Sequence, residues 1–114
     1  MNTVIIDEGA LEGMESLLGE QFDDTLMFCC AEFERLGGEI LATIHSDVPT
    51  ATRHAHSLKS NAAQFGASSL SDVARDIEQS LNNGDLSQAV MATEQLESQV
   101  AGAKEKLTQW LQSR

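Results

Sequence analysis

The chain has 114 residues, 41% of them hydrophobic and 22% charged, with 18 Asp and Glu against 7 Lys and Arg and a formal net charge of -11. That composition describes one globular domain over residues 1–114, with enough apolar mass for a single core and too little for two. One Pro, no Tyr and 4% aromatic residues argue against a strand-rich sandwich or barrel, which draws on aromatic and β-branched residues and frequent turns, so an all-α fold is expected.

The charge also bears on partners. Its excess repels phosphate backbones and anionic membranes, so neither nucleic acid nor a membrane is expected as a partner. Residues 1–47 hold 11 acidic residues and one basic residue, Arg35. A solvated acidic face that maintains solubility is the plain reading, and a contact surface for a basic-rimmed partner is the alternative. No apolar run approaches the roughly 20 residues that span a bilayer, and the acidic N-terminus has no basic or apolar signal region. A cytoplasmic protein is expected. The only cysteines, Cys29 and Cys30, are neighbours that point about 100° apart on a helix, so a relaxed disulfide between them is implausible. They read as reduced, partly buried thiols.

Apolar spacing is helical along most of the chain. A first helix from Asp7 to Leu18, carrying Leu11, Met14, Leu17 and Leu18, is expected to lie across a bundle. Phe22, Leu26, Cys29, Phe33, Leu36, Ile40 and Ile44 then form one stripe on a long second helix over residues 21–45. Gly37 and Gly38 interrupt it and predict a bend or a close helix contact. After Ser46-Asp47-Val48-Pro49, where Asp47 can cap and Pro49 can occupy the first turn, a third helix begins. Its stripe is Val48, Ala51, Ala55, Leu58, Ala62 and Phe65, and Gly66 ends it.

A fourth helix over residues 68–82 carries Leu70, Val73, Ala74, Ile77 and Leu81, followed by an Asn82-Asn83-Gly84-Asp85 turn with a cap at its end, Asp85. The last helix keeps a 3,4 rhythm through Leu86, Ala89, Thr93, Leu96, Val100, Ala103, Leu107 and Trp110, and is expected to run unbroken nearly to the C-terminus. The sum is an antiparallel four-helix bundle with a short additional N-terminal helix.

A bundle does not by itself name a function, so the site must come from residues the core does not need. The third helix supplies them. At about 100° per residue, His56 falls roughly 130° from the centre of the core stripe, on the water side. Thr52, Arg53, Lys59 and Ser60 surround it at one turn, with Ala63 a turn further. An exposed imidazole beside cations and small residues suits close approach by another protein. Taken alone, it reads more simply as a polar residue on a solvated face. His54 lies at the core boundary as a packed or capping residue. His45 ends the second helix, where the helix dipole favours a partly charged imidazole.

The segment His56-Ser57-Leu58-Lys59-Ser60-Asn61-Ala62-Ala63-Gln64-Phe65-Gly66-Ala67, followed by Leu70 and Ile77-Glu78, closely resembles the His-x-Leu-Lys-Gly signature of histidine phosphotransfer (Hpt) domains. With Ser60 where most of the family has Gly, the likeness is nearest to members that serve quorum-sensing phosphorelays. The resemblance implies a four-helix bundle that relays phosphoryl groups. It implies that His56 is the phospho-accepting histidine, Lys59 the cation that offsets phosphoryl charge, Glu78 a partner able to hydrogen-bond the imidazole, and Gly66 the glycine closing the active-site helix. Thr52, Arg53, Ser60, Ala63 and Gln64 would then form the docking surface. Implied partners are response-regulator receiver domains and a hybrid sensor kinase, with the chain acting as a monomer. No cofactor of its own is implied, since the receiver brings its own aspartate and Mg²⁺. No Walker A sequence, Gly-rich phosphate loop or kinase motif occurs, so a relay intermediate is expected, not an autokinase.

Two other readings compete with this one. A metal-binding bundle is disfavoured because His54 and His56 lie about 200° apart on their helix, and no Glu-x-x-His pair occurs. A non-catalytic helical adaptor would predict a missing acceptor or cation, and both His56 and Lys59 are present.

Overall fold

The computed structural model describes residues 3–114, and every regular element among them is helical. In chain order these are α1 (Glu8–Leu18), a short 3₁₀ turn (Gly19–Gln21), α2 (Phe22–Thr43), α3 (Val48–Gln64), α4 (Ser68–Asn82), α5 (Leu86–Thr93) and α6 (Leu96–Gln112). Three helices begin at an aspartate whose carboxylate accepts from a backbone N–H of the first turn. Asp7 takes the Ala10 amide at 3.2 Å, Asp47 the Thr50 amide at 3.3 Å and Asp85 the Gln88 amide at 3.0 Å. Each cap satisfies a donor that the helix itself leaves unpaired.

α3 packs against α2 on one side and α4 on the other, while α6 touches both α2 and α4 and closes the ring. Short connections make α2, α3 and α4 successively antiparallel, as expected for the bundle. α1 rests on α3 and α2, and α5 rests on α4. The whole α2 stripe from Phe22 to Ile44 is buried, and Ala51, Ala55 and Ala62 of α3 and Ala74 of α4 are completely so. Their small side chains let the backbones come close. At one end Phe22 stands edge-on to Trp110 with ring centres 5.9 Å apart and 6.5 Å from Phe65, a favoured aromatic geometry.

Several expectations are corrected. The last helix is not continuous: α5 and α6 meet at Glu94-Gln95, where the Glu94 and Gln95 amides donate to the carbonyls three residues back, those of Met91 and Ala92. The Thr93 hydroxyl meanwhile takes the Val90 carbonyl at 2.6 Å. The backbone stays in the right-handed helical region at both residues, so the apolar rhythm passes through the break and conceals it. Val48 and Leu86, expected on their stripes, are exposed because each is the first residue of its helix, beyond the reach of the core; Leu17 is also exposed. At Gly37 and Gly38 the expected close helix contact is found: α2 runs unbroken through both, and Gly37 faces the side chains of Val100 and Leu96 on α6. The cysteines are free and more deeply buried than expected. Burial, with the neighbouring Cys30 and Glu32, pushes the Cys29 thiol up to about 12, and burial raises Cys30 against the opposing charge of Lys104. A thiolate is therefore scarce at neutral pH.

The end of α3 is set by Gly66. The Ala67 amide donates to the Ala62 carbonyl at 2.8 Å and the Gly66 amide to the Ala63 carbonyl at 3.3 Å, the pairing of a left-handed helix cap. Gly66 has φ of 76°, and a Cβ there would lie 2.5 Å from the Asp7 carbonyl oxygen. The approach is close because the Asp7 amide donates to the Gly66 carbonyl at 2.7 Å, tying the chain ahead of α1 to the end of α3. Gly66→Ala should destabilise the fold by more than about 1 kcal/mol, lowering the thermal midpoint by roughly 4 °C or more. Thermal unfolding followed by circular dichroism checks this, and an unchanged midpoint would show that the contact with Asp7 yields at no cost.

Candidate functional site

α3 carries Arg53, His54, His56 and Lys59 and no acidic residue, a basic helix within an acidic chain. Its core face is fixed by Ala51, Ala55, Leu58 and Ala62, and helical geometry then decides where the polar side chains go. His56 projects outward with a side chain 62% exposed. His54 turns the other way, half-buried, with Nε2 4.0 Å from Glu39 Oε2 on α2. His45 is exposed in the turn after α2. The three histidines therefore do not converge, and among the described residues no three His, Cys, Asp or Glu form a metal-ligand group.

Glu78 of α4 lies beside His56. Its Oε2 is 2.7 Å from His56 Nδ1, and its Oε1 accepts from Lys59 Nζ at 2.6 Å. The carboxylate is mostly buried, with a side chain 13% exposed. Burial works against its charge, but the hydrogen bonds from Lys59 and His56 outweigh that effect and hold the carboxyl below its ordinary range. An ionised carboxylate can only accept, so Nδ1 carries the proton and donates to it. In the neutral imidazole this fixes the tautomer, with Nε2 as the nitrogen that keeps its lone pair. A third bond joins the same two helices: the buried Ser71 hydroxyl of α4 donates to the Lys59 carbonyl at 2.9 Å. α4 thus grips Lys59 by both its backbone and its side chain.

Of the residues expected to dock a partner, Thr52 is half-buried with its hydroxyl donating to the Val48 carbonyl, and Arg53 is exposed and donates to the Thr50 hydroxyl. Ser60, Ala63 and Gln64 are exposed. Thr52, Arg53, His56, Ser57, Glu78 and Asn82 line one open depression, whereas Gln64 borders a separate groove against α2 that includes Phe28 and Phe65. The Lys59 ammonium is engaged with Glu78, an arrangement invisible without the relative placement of α3 and α4. Sequence reasoning also passed over Phe28 and Met27, which are 67% and 51% exposed on α2. The available signal was their position off the apolar stripe of a helix that is otherwise acidic on that side.

The depressed titration of Glu78 sets a direction for acid stability. A carboxylate whose folded pKa lies below its unfolded one contributes stability above the unfolded value and loses it as the pH falls through the folded value. Wild type should exceed Glu78→Gln in stability near neutrality, and the gap should narrow as the pH drops through and below the usual carboxylate range. Urea unfolding at intervals down to about pH 3 measures it. A gap that stays constant over that range would mean that the charge on Glu78 is not coupled to folding.

With this geometry established, comparison with known proteins is informative. A family model for the Hpt domain matches residues 10–110. Among solved structures, histidine-containing phosphotransfer protein B (HptB) from Pseudomonas aeruginosa PAO1 is similar with a TM-score of 0.87 at 22% identity, over 96% of each chain. A putative histidine-containing phosphotransfer protein from rice gives a TM-score of 0.79 at 18% identity, over 94% of this chain and 81% of that one. The maize phosphotransfer protein ZmHP2 gives 0.79 at 19% identity, over 94% and 83%. At these identities the likeness speaks for the fold. No curated protein matches the chain, and no described helix is long and apolar enough to cross a membrane. The family match spans nearly the whole bundle, and the chain belongs to the Hpt domain family, whose members carry phosphoryl groups in phosphorelays.

Proposed function

We propose that the chain is a phosphorelay intermediate that accepts a phosphoryl group on His56 from a receiver-domain aspartyl phosphate and passes it to a second receiver domain. The observation that carries this reading is the hydrogen bond at 2.7 Å between His56 Nδ1 and Glu78 Oε2. It presents Nε2, with its lone pair, to an incoming partner. As Nε2 bonds to phosphorus, the bond from phosphorus to the aspartyl oxygen breaks and the aspartate leaves as a carboxylate. The imidazole then bears a positive charge, with its Nδ1 proton still directed at Glu78, which stabilises it as an acidic orienting group does in other histidine chemistry. Reversing the same step delivers the group to the next aspartate.

Little more is asked of this chain, because phosphoryl transfer depends mainly on positioning and electrostatics. The receiver contributes its aspartate and Mg²⁺. The chain offers an oriented imidazole and an α3 surface of Ser60 and Ala63 that a partner can approach closely. It acts as a carrier and not as an autokinase, as a monomer in the cytoplasm, with receiver domains and a hybrid sensor kinase as its partners.

Incubation with a phosphorylated receiver should label the wild type and His54→Gln, but not His56→Gln, and the linkage should be acid-labile and base-stable. Label that persists on His56→Gln would overturn the assignment. Receiver binding that survives His56→Gln, with no label ever appearing on the wild type, would point to an adaptor instead.

The docking face has its own test. Ala63→Arg adds bulk and charge at an exposed position and should leave a folded bundle that loses receiver binding and phosphotransfer together. Leu58→Arg, on the buried stripe, should instead destabilise the bundle by several kcal/mol, on the order of 3 or more. Normal exchange by Ala63→Arg would remove this face from the interface.

A further inference from the structure

We infer that Arg53, and not Lys59, is the cation that grips the phosphoryl group carried on His56; the inference rests on the proposed role of His56. The charges around the imidazole lead to this assignment. Lys59 Nζ lies 2.6 Å from Glu78 Oε1, so the ammonium and the carboxylate beneath His56 neutralise each other. A phosphoryl group brings about -1.5 to -2 charges at neutral pH, and the imidazolium formed on transfer offsets one of them. Some negative charge remains, and the Lys59–Glu78 pair has no net charge left to meet it.

Arg53 supplies what is missing. It stands three residues before His56, on the neighbouring part of the same helical face, and both line the one open depression, together with Thr52, Ser57, Glu78 and Asn82. Its guanidinium donates only to a neutral group, the Thr50 hydroxyl at 3.1 Å. Asp47, the carboxylate whose ionisation it favours, is itself held by the Thr50 amide and hydroxyl. Among the described residues no carboxylate lies within ion-pair distance of Arg53. Exchanging one hydroxyl partner for phosphoryl oxygens breaks no ion pair, whereas Lys59 would have to abandon Glu78 and leave a mostly buried carboxylate without its counter-ion. A guanidinium also matches phosphoryl oxygens with two parallel N–H donors, which a single ammonium cannot do.

Phosphoramidate, a small donor that needs no protein partner, separates a phosphoryl contact from a docking contact. Nε2 bonds to phosphorus as the phosphorus–nitrogen bond of the zwitterionic donor breaks, and ammonia leaves. Wild type, Arg53→Gln, Arg53→Lys and Lys59→Gln would each be treated with phosphoramidate, with helicity checked by circular dichroism and the phosphohistidine followed by ³¹P NMR across pH. Arg53→Gln should keep its helicity, be labelled about tenfold more slowly, and show the phosphoryl group titrating at higher pH, because a nearby cation no longer favours its dianion. Arg53→Lys should recover part of both effects. Lys59→Gln should move the phosphoryl titration less than Arg53→Gln does, because it acts through the uncompensated charge of Glu78 and not through a lost contact.

Wild-type labelling and phosphoryl titration unchanged by Arg53→Gln would overturn the inference. So would a defect of Arg53→Gln seen only with a phosphorylated receiver, since that describes a docking contact. A phosphoryl titration that moves with Lys59→Gln and not with Arg53→Gln would assign the grip to Lys59. Failure of wild type to be labelled on His56 would instead remove the proposed function on which the inference rests.

Discussion

The Glu78 carboxylate is the hinge of this structure. It joins α4 to α3 through two side chains at once, His56 at 2.7 Å and Lys59 at 2.6 Å, and each bond has a different consequence. The bond to His56 chooses the tautomer and turns Nε2 outward. The bond to Lys59 supplies the counter-charge that keeps a mostly buried carboxylate ionised, and only an ionised carboxylate can enforce that tautomer. Without the lysine, the carboxyl would have only the hydrogen bond and charge of His56 to set against its burial, and its hold on the imidazole would weaken.

The bundle exists around this contact in a specific sense. Hydrogen bonds of that length require the two helices to hold their spacing and register to a few tenths of an ångström. Alanines at the buried positions of α3 and α4 allow close packing, and the Ser71 hydroxyl on the Lys59 carbonyl fixes how far one helix slides along the other. The left-handed cap at Gly66 and the carboxylate cap at Asp47 set where α3 starts and stops. Charge is distributed along the same lines. Acidic residues crowd the first 47 positions, while α3 has none, so the helix proposed to carry an anionic phosphoryl group adds no like charge of its own.

Much of this could be read from the chain. Apolar spacing located the α2 and α3 stripes, and the caps at Asp47 and Asp85 and the glycine at position 66 located helix ends, because capping and periodicity are local properties of consecutive residues. The same arithmetic put His56 on the water side, since its direction depends only on its angular distance from Ala55 and Leu58. Where the reading failed, a local signal was shared by two structures. The 3,4 rhythm of Leu86 to Trp110 persists across Glu94-Gln95 because the backbone stays helical in direction while its hydrogen bonds shift from four residues back to three. Val48 and Leu86 have core-like identities and sit beyond the core.

The chain by itself determined an all-helical bundle, the exposure of His56 and the basic character of the helix that carries it, all of which follow from the order of side chains around a helix axis. Resemblance to the Hpt signature singled out Lys59 and Glu78, but only the packing of α3 on α4 decided that these two bind each other. Residues 19 positions apart on different helices have no fixed distance until the helices are placed. Once they are, Lys59 is a counter-ion to Glu78, His56 keeps one ring nitrogen clear of Glu78, and Arg53 is the cation of α3 left without a carboxylate partner among the described residues.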